Sequence, residues 1–142
     1  LVDARDPARF RGEYEPIDPV AGHIPGARNM PLTLNLTPDG RWRKPPELGE
    51  IWREHLAAAG ERRPVVMCGS GVTACHLALA ARQAGLPTPR LYVGSWSEWV
   101  RDSGRPVAGA PKAGKGFDSL RIYDELNVVS RRRNGISCVS SG

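Results

Sequence analysis

Residues 65–85 run a strand, a tight turn and a helix together with no room for a connecting loop, and this unit restricts the fold more than any other part of the chain. Val65-Val66-Met67 is apolar at every position, the pattern of a strand covered on both faces. Gly69 and Gly71 make the turn. Val72 to Ala84 is nearly all Ala, Leu and Val on one side, with Gly85 as its stop. A fully buried strand that feeds directly into an apolar helix is half of a parallel crossover unit, so the chain is expected to build a parallel sheet between helices.

The rest of the chain repeats the alternation. Leu1-Val2-Asp3-Ala4-Arg5 reads as a strand entered partway along. Asp6-Pro7 offers an N-cap and a first-turn proline for a single helical turn ending at Gly12. Pro16, Pro19, Gly22, Pro25 and Gly26 make residues 13–26 a loop, and Ala27-Arg28-Asn29-Met30 reads as a short strand closed by Pro31. Leu48, Ile51, Trp52, Leu56 and Ala59 recur at helical spacing over Glu47–Ala59, with Gly60 as the stop. Leu91-Tyr92-Val93 is the next strand, and Ser95 with Glu98 reads as a capping box for a short helix carrying Trp96 and Trp99. The expected fold class is α/β, a mainly parallel central sheet flanked by helices on both faces, with ligands gathering beyond the carboxyl ends of the strands.

Cys68 stands at such an end. The unpaired amides of the turn and the positive end of the following helix both favour an anion, which suits a thiolate nucleophile. By itself the segment fits either that or a buried structural cysteine closing a core strand. Three cysteines cannot all pair with one another, and Cys68 with Cys75 lacks CxxC spacing, so neither a disulfide scaffold nor a metal centre is expected. No cofactor is expected either.

Charge narrows the partners. The net charge of +5 is uneven: residues 1–110 hold 14 Lys and Arg against 12 Asp and Glu, and residues 111–142 hold 6 against 3. The body is nearly balanced, and Arg131-Arg132-Arg133 reads as a solvated run, so no nucleic acid is expected as a partner. No stretch has the length of a membrane span or the layout of a signal peptide, and a cytoplasmic protein is expected. Residues 1–110 read as one domain and residues 111–142 as a flexible basic tail.

Four separated motifs together resemble the rhodanese family of sulfurtransferases, in particular the catalytic C-terminal domain of its two-domain members. They are Leu1-Val2-Asp3-Ala4-Arg5, Gly22-His23-Ile24-Pro25-Gly26-Ala27, Cys68-Gly69-Ser70-Gly71-Val72-Thr73 and Gly94-Ser95-Trp96-Ser97-Glu98-Trp99. The resemblance covers about residues 1–107 and implies a rhodanese-like domain lacking its first strand and helix, together with a missing N-terminal rhodanese-like domain. It implies that Cys68 accepts a sulfane sulfur as a persulfide and passes it to a thiol, thioredoxin or cyanide. The amides of Gly69 through Thr73 would nest the charged outer sulfur, so Gly69, Gly71, Val72 and Thr73 are expected to bind substrate.

The same resemblance speaks to the donor. Members preferring thiosulfate resemble Cys-Arg-Lys-Gly in this loop, whereas 3-mercaptopyruvate sulfurtransferases resemble Cys-Gly-Ser-Gly, which Gly69 and Ser70 follow. Arg9 matches one of two arginines that grip the mercaptopyruvate carboxylate; the second would fall near Ile17-Asp18, where none stands. Mercaptopyruvate is therefore the expected donor and thiosulfate the alternative, with an inactive or regulatory module as the non-enzyme reading. Ser70 is expected to polarise the keto group or relay a proton, and Asp3 with Arg5 to brace the cysteine loop. His23 reads as part of a structural turn, His55 and His76 as packing or solvated residues, and Cys75 as a buried helix cysteine. Trp96 and Trp99 fit either the pocket mouth or the core. Related phosphatases need an arginine where Ala74 stands, which argues against phosphate chemistry.

Overall fold

A computed structural model describes residues 1–57 and 62–109. Four strands, β1 (Val2–Asp3), β2 (Arg28–Asn29), β3 (Val65–Met67) and β4 (Arg90–Leu91), form a parallel sheet in the order β2-β1-β3-β4. Four helices separate or follow them: α1 (Pro7–Arg11), α2 (Pro45–Leu56), α3 (Val72–Gln83) and α4 (Ser95–Trp99), with a 3-10 turn at Leu32–Asn35.

Alternate residues of the central strands point to opposite faces, and each face has its own core. Val2 and Val66 pack with Leu48 and Trp52 of α2 and with Ala74, Leu77, Ala80 and Ala81 of α3. Leu1 and Met67 pack on the other face with Ile24, Tyr92, Trp96 and Trp99. Helices therefore cover both faces, as the apolar character of β3 requires.

The local signals hold where chemistry fixes them. Asp6 accepts a hydrogen bond from the Ala8 N–H at 2.8 Å, Pro7 opens α1, and Gly12 closes it at φ +78°. Helix α2 starts two residues before Glu47, because Pro45 and Pro46 occupy first-turn positions whose N–H groups have no intrahelical partner to lose. Glu47 reaches back to accept from the Lys44 N–H at 3.0 Å. Ala59 and Gly60, read as the end of this helix, lie outside the described residues, as does the segment read as a basic tail.

Two expectations are corrected. The last strand occupies Arg90–Leu91 instead of 91–93: the Tyr92 N–H still bonds Val66 O at 2.9 Å, but the chain then turns and leaves Val93 57% exposed. The Ser95–Glu98 capping box does not form, because the Ser95 hydroxyl is committed elsewhere and Glu98 faces the Tyr92 hydroxyl. Among the described residues no helix is long and apolar enough to cross a membrane.

Candidate active site

Cys68 follows β3 directly and is 2% exposed. The chain turns at Gly71 (φ +88°), the residue before α3, and the Gly71 N–H points back at the Cys68 sulfur, 3.1 Å from Sγ. Only glycine fits at this point: a Cβ here would stand well inside 3.0 Å of the Val93 carbonyl oxygen. The sulfur thus sits at the amino end of a 12-residue helix, against a backbone donor.

The loop's carbonyls are turned the other way. Cys68 O accepts from the Trp96 N–H at 3.0 Å and Gly69 O from the Ser97 N–H at 2.9 Å, so the loop caps the start of α4. The Cys68 N–H donates to Ser95 Oγ at 3.1 Å, and that hydroxyl donates to Tyr92 O at 2.8 Å. Ser95 holds this position at φ +50°, a strained backbone for a residue with a side chain. Its hydroxyl therefore ties the cysteine to the end of β4, a role that its reading as a helix cap had hidden.

Ser70 is exposed at the tip of the loop, and its hydroxyl takes no partner among the described residues. Val72 is 76% exposed at the start of α3, Thr73 is half-buried, and Gly69 lies against Arg9, whose Nη2 and Nη1 are 3.6 and 3.7 Å from where a Gly69 Cβ would be. The structure thus brings Arg9 to the cysteine loop. Arg9 is already held by Glu15, through Nη2 to Oε1 at 2.6 Å and Nε to Oε2 at 3.1 Å. Glu15 Oε1 also accepts from the Ile17 and Asp18 N–H groups, at 3.1 and 3.2 Å. Burial raises the affinity of Glu15 for a proton, yet these donors outweigh it and hold the carboxyl below its usual range.

Asp3 and Arg5 form a buried pair: Arg5 Nη2 lies 2.7 Å from Asp3 Oδ2, and Nε bonds both carboxylate oxygens at 3.2 and 3.0 Å. Arg5 does not touch the cysteine loop through a hydrogen bond of its own. It donates to Gly22 O at 2.7 Å and to Glu15 at 3.4 Å, and lies 4.5 Å over the Trp96 ring. Arg5 therefore meets the loop only through Trp96, whose backbone N–H holds Cys68 O.

The remaining candidates separate cleanly. Trp96 and Trp99 are core residues, their indole N–H groups bonded to Val20 O and Pro106 O at 2.9 Å each, and neither lines a pocket mouth. His23 stacks on Phe10 with ring centroids 3.8 Å apart, bonds Phe10 O through Nδ1 at 2.7 Å, and pairs its backbone with Ala108. Burial keeps its imidazole below the usual pKa, and the block is a structural turn. His76 stacks on Trp42 at 4.2 Å, and His55 bonds Ile51 O. Cys75 is exposed, not buried: it shares the outer face of α3 with Val72 and Leu79, and its thiol reaches the Gly71 carbonyl at 3.5 Å. In an Ala-rich helix, small apolar residues stand on every side and the sequence does not phase the buried face.

Comparison with known proteins is consistent across sequence and structure. The family profile described as a rhodanese-like domain matches residues 1–102. A Pseudomonas aeruginosa protein named "Probable 3-mercaptopyruvate sulfurtransferase" is 56% identical over 108 residues, 76% of this chain and 38% of that protein. The thiosulfate sulfurtransferase of Gallus gallus is 41% identical over 99 residues, 70% of this chain and 34% of that protein. The crystal structure of the Tum1 protein from Saccharomyces cerevisiae superposes with a TM-score of 0.65 at 30% identity, covering 76% of this chain and 39% of that one. The chain thus spans between a third and two fifths of the length of the curated relatives it matches.

Proposed function

The chain belongs to the rhodanese-like domain family, and from that premise we propose that it is the sulfur-carrying domain of a sulfurtransferase with Cys68 as nucleophile. The observation that carries this reading is the Gly71 N–H aimed at Cys68 Sγ from 3.1 Å at the start of α3. A donor pointed at the sulfur stabilises negative charge both on a thiolate and on the transferred sulfur beyond it.

The proposed cycle is balanced without an outside oxidant. The Cys68 thiolate attacks the thiol sulfur of 3-mercaptopyruvate; the sulfur–carbon bond breaks, its electron pair leaves on carbon as the enolate of pyruvate, and protonation there gives pyruvate, the carbon being reduced as the sulfur is oxidised to the persulfide level. An acceptor thiolate, of a small thiol or thioredoxin, or cyanide then attacks the outer sulfur of the persulfide, and Cys68 leaves as thiolate. Gly69, Gly71, Val72 and Thr73 form the cradle of the outer sulfur, Ser70 is free at the loop tip to meet the keto group, and Arg9 faces the carboxylate. Asp3 and Arg5 act from behind, through Trp96. Exposed Val72 and Val93 give the site an apolar rim suited to an acceptor protein or to a neighbouring domain. A cytoplasmic setting suits a cysteine that works as a thiol.

The Cys68-Gly69-Ser70-Gly71 loop and the P. aeruginosa relative favour mercaptopyruvate. One observation favours thiosulfate instead: Ile17 is 74% exposed where a second guanidinium would complete a carboxylate clamp. With thiosulfate the sulfur–sulfur bond breaks and sulfite leaves. Intact mass after incubation with each donor tests both readings. A gain of one sulfur atom that Cys68→Ser eliminates is the expected result and identifies the donor; no gain with either would leave the regulatory module.

A further inference from the structure

Three carboxylates and two guanidiniums alternate in a single chain beside the cysteine loop: Asp3, Arg5, Glu15, Arg9 and Asp18. Asp3, Arg5 and Glu15 are fully engaged, and Arg9 is held through Nε and Nη2, which leaves its Nη1 to face the loop. Asp3 takes the fork of Arg5, and Glu15 takes the fork of Arg9 as well as two backbone N–H groups. Asp18 is different. Its side chain is 8% exposed, its Oδ2 is buried with no hydrogen bond, and that oxygen stands 3.6 Å from Arg9 Nη2, at ion-pair range but beyond a hydrogen bond.

A buried carboxylate oxygen without a hydrogen bond is costly, so its retention beside the one arginine that lies against Gly69 calls for a role. We propose that Asp18 is a specificity-determining residue: it offsets the charge of Arg9, so that the site admits a donor with a single carboxylate and disfavours a dianionic one. This rests on the reading that Arg9 faces the sulfur donor. Glu15 by itself neutralises Arg9 while orienting it; Asp18 adds a further negative charge at the same guanidinium, and repulsion from it grows with the charge of the incoming donor.

The full chain is compared with Asp18→Asn, which keeps the shape, and Asp18→Ser, which removes the carboxylate outright. In both variants KM for thiosulfate is expected to fall about tenfold, KM for 3-mercaptopyruvate to fall less, and kcat to move less than KM. Raised salt should narrow the gap between wild type and variants. Equal changes for the two donors, or none, would overturn the proposal. If the wild-type chain takes sulfur from neither donor, the functional reading fails, and thiosulfate binding followed by calorimetry decides this one separately: tighter binding to both variants supports it, and unchanged affinity overturns it.

Discussion

Gly71→Ala tests the geometry around the sulfur most directly. Two penalties act there. A side chain at φ +88° carries the left-handed strain of about 1–2 kcal/mol. The new Cβ would also stand well inside 3.0 Å of Val93 O, and that carbonyl belongs to backbone pinned on one side by the Tyr92 N–H bond to Val66 and on the other by Ser95. Relieving the clash means moving either β4's exit or the Gly71 amide, and either costs about a further 1–3 kcal/mol. The total expected loss is therefore about 2–5 kcal/mol. Gly85→Ala supplies the control: Gly85 has φ +74° and nothing within 4 Å of its would-be Cβ, so it carries only the first penalty. Urea unfolding of the two variants isolates the close approach, and intact-mass kinetics of sulfur loading should show a drop of at least about tenfold for Gly71→Ala alone. Equal stability and equal loading in the two variants would refute the assignment of Gly71 as the residue that holds an amide against the sulfur.

Ser95→Ala leaves the buried Cys68 N–H without its acceptor and should cost about 1–3 kcal/mol in urea unfolding. Ser95→Gly loses the same bond but escapes the strain at φ +50°, so it should be the milder variant by about 1 kcal/mol. Arg5→Met strands the fully buried Asp3 carboxylate and should cost about 3–5 kcal/mol, with part of that recovered in Asp3→Asn/Arg5→Met; no recovery in the double variant would place the loss in packing on Trp96 instead. His23 is held below its ordinary value of 6.5 by burial, so the native state binds its proton less readily than the unfolded chain does. Its contribution is complete above about pH 6.5 and is lost as the pH falls through that value toward the folded pKa. Unfolding free energy should drop from pH 7.5 to pH 5.5, roughly, with a shallower slope in His23→Gln, while His76, lowered by burial too, keeps part of the slope in that variant.

The strand Val65–Met67 and the helix after it were legible because nothing but burial on both faces accounts for three consecutive apolar residues ahead of a glycine turn. Helix α1 was legible for a different reason, its three punctuating residues Asp6, Pro7 and Gly12 each having a distinct backbone chemistry. The motifs single out Cys68 and Arg9, and Arg9 does lie against Gly69, the residue after Cys68. Ser95 could not be singled out, since its bond spans 27 positions and a serine beside a short helix fits capping equally well. Glu15 and Asp18 were hidden by their setting: prolines mark residues 13–26 as irregular without revealing which side chains fold back inward. Cys75 was misread because helical spacing in an alanine-rich segment gives no phase.

The division of the cysteine loop, with carbonyls committed to α4 and an N–H committed to the sulfur, couples two events that are separable in many enzymes. The amides of Trp96 and Ser97 lose their partners the moment the loop opens, so loop and helix must open together as one cooperative unit. Loosening of this site is then a piece of unfolding and not a loop fluctuation. Its amide exchange should follow that of the β3–α3 core, and a destabilising change anywhere in that core lowers the fraction of chains whose sulfur is correctly held in step with the fraction that is folded.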